Sequence, residues 1–169
     1  MPIKHLFTSG VSDGADATLV RPSNWNANHD GFWTNTVNAD IVKSDTALAD
    51  VTGLTFAVGV GTFILEAVIM SLAAAATTGM TLAVNGPTLT YMQAAAEFYT
   101  TASAKATVAV TAYNTAMTST AQLLTVTPQY LYAYIVVSAA GTIAVRWSPE
   151  VAASATVKRG SFATLFQVA

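Results

Sequence analysis

Cysteine is absent from the 169-residue sequence. That excludes a disulfide framework, a thiolate nucleophile and a thiolate metal site. Charge is scarce as well, with Asp, Glu, Lys and Arg making up only 9% of the residues, where a soluble domain carries about 25%. The formal net charge of -2 leaves no basic excess to neutralise nucleic-acid phosphates. Apolar residues are abundant, at 53% of the chain, and this excludes a disordered protein. A chain this apolar and this little charged either sits in a membrane or hides much of its surface in an assembly.

The longest apolar run, Leu54 to Ala76, is long enough to span a bilayer. Glu66 near its centre argues against that, because a carboxylate there costs roughly 2.5 kcal/mol or more. Gly59 and Gly61 interrupt the run where a turn fits, and no Lys or Arg cluster flanks it to set an orientation. The run reads as two buried strands broken at Gly59–Gly61. The first residues also lack the pattern of a signal peptide, so a soluble protein is expected.

All six Asp residues fall within the first 50 positions and all three Glu residues after them, which marks a boundary near residue 50. Residues 1–50 read as an extended, polar docking arm. It carries one short helical turn at Pro22–Asn26, where the Ser23 hydroxyl can cap the following N–H groups. Trp25, Phe32 and Trp33 in this arm need something to pack against. Residues 51–169 read as a β body. Strands are expected at Thr62–Met70, Met80–Val84, Thr88–Met92, Ala106–Tyr113, Ala121–Thr127, Tyr130–Ser138, Thr142–Trp147, Ala155–Val157 and Phe162–Val168. Asn85-Gly86-Pro87 marks a hairpin or a corner, and Ala73–Ala76 and Gln93–Phe98 are helix-compatible. Strands at this spacing without intervening helices indicate an all-β sandwich or barrel.

One strand is more informative than the others. Its period of two places Tyr130, Tyr132, Tyr134 and Val136 on one face, and Leu131, Ala133, Ile135 and Val137 on the other. The aliphatic face is core. The tyrosine face, large, apolar and tipped with hydroxyls, suits a subunit interface, with a second core layer as the alternative.

Residues for catalysis are hard to find. His5 and His29 are isolated in the arm, where a metal site would need further ligands such as Asp30. Asp13-Gly14-Ala15-Asp16 lacks the alternating ligands and distal Glu of a calcium loop. Val58-Gly59-Val60-Gly61 lacks the third glycine and the helix of a phosphate cradle. Lys158-Arg159-Gly160-Ser161 reads as a turn with solvated charges. Glu66, inside an apolar strand, is the one charge expected to be buried, with Arg146 as its candidate partner. Neither an enzyme nor a cofactor is expected.

Two stretches resemble virion proteins of tailed bacteriophages. Arg21-Pro22-Ser23-Asn24-Trp25-Asn26-Ala27, within Asp13 to His29, resembles a segment that recurs in the N-terminal parts of phage structural proteins. Gly141 to Phe166, with its Thr-Ile-Ala-Val-Arg-Trp and Val-Lys-Arg-Gly-Ser-Phe runs, is similar to the closing strands of trimeric jelly rolls of the tumour-necrosis-factor/C1q type. Gly61–Ala67 and Leu82–Pro87 fit the same pattern. The resemblance implies an antiparallel jelly-roll sandwich behind an extended arm. It also implies a homotrimeric capsid decoration or cement protein at the capsid surface, with the major capsid protein as partner and neither nucleic acid nor membrane involved. Tyr130, Tyr132 and Tyr134 would form the trimer interface, and Arg21, Pro22, Trp25, Phe32 and Trp33 would dock on the capsid. The alternative is a tail or baseplate fibre module that contacts the host surface.

Overall fold

The computed structural model describes residues 31–168. They form twelve strands and no helix: β1 (Phe32–Thr36), β2 (Ile41–Lys43), β3 (Ala49–Val58), β4 (Gly61–Ala73), β5 (Met80–Asn85), β6 (Leu89–Tyr99), β7 (Lys105–Val110), β8 (Met117–Thr118), β9 (Thr127–Val137), β10 (Gly141–Pro149), β11 (Ala155–Val157) and β12 (Phe162–Gln167). Every ladder is antiparallel. The larger sheet runs β1-β12-β4-β9-β6-β7, with β11 also beside β4 and β2 beside β11; the smaller runs β3-β10-β5-β8.

The two sheets form a sandwich around one core. Alternation along β4 turns Phe63, Leu65, Ala67 and Ile69 inward, and β9 contributes Leu131, Ala133, Ile135 and Val137. The smaller sheet answers with Val51, Leu54, Phe56, Leu82, Val84, Ile143, Val145 and Trp147. The apolar run from Leu54 to Ala76 is thus two strands, and its break at Gly59–Gly61 is a corner where the chain passes from one sheet to the other. Asn85-Gly86-Pro87 is a corner of the same kind. Among the described residues, β6 and β7 are the one consecutive pair of strands that are also ladder partners.

Several expectations are corrected. Gln93–Phe98 is the middle of β6, not a helix. Its alanines have high helix propensity, but Ala94, Ala96 and Phe98 alternate into the core, and burial overrides the propensity. Ala73–Ala76 ends β4 and bends away without forming a helix. Ala121–Thr127 is a loop up to its last residue, pinned by buried Gln122, whose amide nitrogen donates to Ser71 Oγ at 2.6 Å. Glu66 points out of the larger sheet and is exposed, so it does not meet Arg146 on the smaller one. Arg146 faces its register partner Asp50, with Nε 3.0 Å from Asp50 Oδ1. Its remaining nitrogens donate to Asn114 Oδ1 and to the Leu48 carbonyl, each at 2.7 Å.

Residues 31–50, grouped with the arm by their composition, run within the sandwich. β1 pairs with β12, β2 pairs with β11, and Val37 is buried in the core. The helical turn at Pro22–Asn26 lies outside the described residues.

Candidate functional site

The feature that stands out is the outer face of the larger sheet, which carries few charges and, among the described residues, is not covered by another element. The alternation that buries Leu131, Ala133 and Ile135 sends Tyr130, Tyr132 and Tyr134 outward. Register sets Val68, Glu66 and Ile64 of β4 opposite them on one side. Glu97, Ala95 and Gln93 of β6 stand opposite on the other. Further out, β12 places Phe162, Thr164 and Phe166 beside Val68, Glu66 and Ile64, and β1 places Phe32 beside Phe166. The face therefore spans at least four strands with aromatic and aliphatic groups and few charges.

Its rings are organised. Tyr130 and Tyr132 lie nearly parallel, 9° apart with centroids at 6.4 Å. Tyr91 meets Tyr134 edge-on at 6.0 Å, and Tyr99 meets Tyr130 at 6.3 Å. Such pairs hold the rings in place beyond what burial alone gives. Tyr132 remains 45% exposed, Tyr134 43% and Phe162 39%. Between Ile64, Tyr132 and Tyr134, the small side chains Ala95 and Ala109 leave a shallow apolar depression of about 300 Å³. Monomeric proteins rarely expose a contiguous apolar patch of this kind unless something binds it.

Charges on this face are few, and most are already engaged. Lys105 Nζ sits 2.9 Å from Glu97 Oε2 and 4.8 Å over the centre of the Tyr99 ring. The hydrogen bond to Glu97 holds the lysine charged to higher pH than usual. Partial burial, followed by the negative fields of Glu97 and Glu66, pushes the Tyr132 phenol upward. Glu66 itself has no hydrogen bond or ion pair among the described residues.

The other candidates resolve in different ways. Lys158–Ser161 is a turn with Gly160 at φ +91°. Asp40 clamps it by accepting from Lys158 Nζ and from the Arg159 backbone N–H at 2.8 Å, and both contacts hold its carboxyl below the usual range. Val58–Gly61 is the β3–β4 corner. Phe32 packs edge-on against Phe166 at 4.9 Å, and Trp33 lies 6.4 Å from Phe63 and packs on the core. Both rings thus have partners within the sandwich. Arg21, Pro22, Trp25, His5, His29 and Asp13–Asp16 lie outside the described residues. Among the described residues no group of three or more His, Asp or Glu could hold a metal ion, and no helix is long and apolar enough to cross a membrane.

The tyrosine triplet was visible in the sequence, but its neighbours were not. Tyr91 falls in the expected strand Thr88–Met92, whereas Tyr99 lies beyond the alanines that mask the rest of β6. Ile64, Phe162 and Phe166 join the face only through the pairing order β12-β4-β9. No protein-family model matches the chain, and no curated protein matches it.

Proposed function

We propose that this chain is a non-enzymatic structural protein of a tailed-bacteriophage virion, acting as a homotrimeric decoration or cement protein that bridges and stabilises capsid subunits. The observation that carries the reading is the outward aromatic face of the larger sheet around Tyr132. In a protein with 9% charged residues, a face of this kind is best satisfied by another copy of the chain. The phage-like segment at Arg21–Ala27 supports the virion context, and the segment before β1 is assigned the role of docking onto the major capsid protein. Three such segments on one trimer would reinforce one another through effective concentration, and threefold symmetry suits the local threefold positions of an icosahedral shell.

The finer fold reading is a jelly roll. With the β6–β7 pair taken as an insertion, the sheets reduce to β1-β12-β4-β9 and β3-β10-β5-β8. Nearly every connection between consecutive strands then crosses from one sheet to the other, and the first and last strands are neighbours. That order supports the similarity to trimeric jelly rolls. The test is mass photometry of the full chain, followed by rupture measurements on DNA-filled heads with and without the protein at matched salt. The expected results are a trimer at micromolar concentration and a higher rupture temperature for decorated heads. A monomer would overturn the assembly reading, and unchanged rupture with labelling confined to the tail would move the protein to a tail appendage.

A further inference from the structure

Ion pairing among the described residues leaves little of their charge unused. Among the described residues Lys43 pairs with Asp45, Lys105 with Glu97, Arg146 with Asp50 and Lys158 with Asp40. One cation, Arg159, has a guanidinium without a hydrogen bond or ion pair; it only contributes to the field on Asp40, which Lys158 already engages. Among the described residues two acids have no cationic partner, Glu66 and Glu150. Glu150 follows the end of β10 in the smaller sheet, where its backbone N–H donates to Gly79. Glu66 stands in the middle of the tyrosine face, between Thr164 and Tyr132.

We infer that Glu66 of one copy receives Arg159 of the next, so that the turn before β12 docks on the neighbouring copy's tyrosine face. This rests on the assembly reading above. A carboxylate closed into an apolar interface needs a counter-charge, and the described part of an identical copy has one unpaired cation to offer. The two residues do not meet within one chain. Arg159 lies three residues before Phe162, the first residue of β12, whereas Glu66 registers with Thr164 further along that strand. At ~3.3 Å per residue the separation is beyond the reach of one arginine. Arg159 is nonetheless close to the rim of the same outer face, because Phe162 is exposed on it. Repeated head to tail, this contact is heterologous and closes into a ring when the rotation between copies is threefold, as the assembly reading requires; returned across a twofold it would make a dimer instead. Charge complementarity thus picks the occupant and the two surfaces that meet.

The test is a charge swap in the full chain, read by sedimentation and mass photometry, with melting temperature as the control for folding. Both side chains are exposed in the single chain, so folding should be preserved. Glu66→Arg is expected to weaken assembly by about 30-fold or more, and Arg159→Glu to weaken it as well. The double variant is expected to return to within a few-fold of the wild type. Failure of the double variant to recover, or an unaffected Arg159→Glu single variant, overturns the pairing while leaving the trimer standing. Lys4→Glu and Arg21→Glu run alongside; disruption by either with Arg159→Glu silent assigns the counter-charge to another part of the chain and overturns the inference. A monomeric wild type overturns the assembly reading itself.

Discussion

The Tyr113 hydroxyl lies against Gly86, so close that a Cβ on the glycine would come within 2.4 Å of it. The ring closes the corner between β5 and β6 and packs on the core, while its hydroxyl is buried without a hydrogen-bond partner among the described residues. Gly86→Ala should therefore push the ring out and destabilise the sandwich by about 1–3 kcal/mol, measurable as a lower denaturation midpoint. Tyr113→Phe removes an unsatisfied group and should be neutral or slightly stabilising.

The same phenol gives a pH signature. Burial pushes Tyr113 up to about 12, so the folded state holds its proton more tightly than the unfolded chain. That contribution is complete below about pH 10 and is lost as pH rises through about 12. Melting temperature should fall less steeply between these values in Tyr113→Phe than in the wild type. Equal slopes would show that the ring is more hydrated than its surroundings indicate.

Ser71 accepts from Gln122 Nε2 at 2.6 Å and Gln129 Nε2 at 3.2 Å, and all three residues are buried. Ser71→Ala strands two amides and should cost about 2–6 kcal/mol, roughly 1–3 kcal/mol for each unsatisfied group. Loss of this anchor should also speed hydrogen exchange in residues 119–126 before the rest of the sandwich opens.

Tyr132→Asp should leave the fold intact, because the side chain faces outward, and should dissociate the proposed trimer by placing a second carboxylate beside Glu66. Unchanged melting of the monomer together with loss of the trimer is the expected pair of results. A trimer that persists would place the interface elsewhere.

On the proposed virion role, removal of residues 1–30 should leave the melting temperature nearly unchanged and abolish incorporation into particles. Removal of residues 1–36 should instead destabilise the body, because it takes away β1 and the Trp33 ring packed on the core. A ring of that size contributes about 3 kcal/mol or more when deleted. Equal stability of the two truncations would contradict the packing seen here.

Sequence pattern carried much of this fold, and the reasons differ by element. The alternation in Tyr130–Val137 separates core from surface because its two faces differ in chemistry. β11 was legible to the residue, since Ala155–Val157 is bounded by turn signals. The start of β6 is legible as the strand Thr88–Met92, but its continuation through Gln93–Phe98 is hidden, because alanine is small enough for a strand yet favours a helix, and only partners on both sides decide it. The loop ending at Thr127 looked like a strand because its apolar residues are β-formers, while its anchor is a side-chain network rather than a ladder. Arg146 was assigned the wrong acid for a topological reason. A register shift between Ala144 and Arg146 brings Asp50 opposite it, and nothing in local sequence encodes that pairing. The candidate site was half visible for the same reason: one strand reveals its own outer residues, but a face is made by neighbours.

The antiparallel pairing of β1 with β12 determines how the molecule bears tension. Five residue pairs, from Phe32 with Phe166 to Thr36 with Phe162, lie in continuous register. A pull on Gly31 along the strand axis slides β1 past β12, so the ladder is loaded in shear and its bonds must break nearly together. A pull across the sheet would unzip them one at a time. A tether attached ahead of β1 thus meets the mechanically stronger direction when its load runs along the strands, and the single-molecule rupture force should be several-fold lower when the pull is redirected across the sheet.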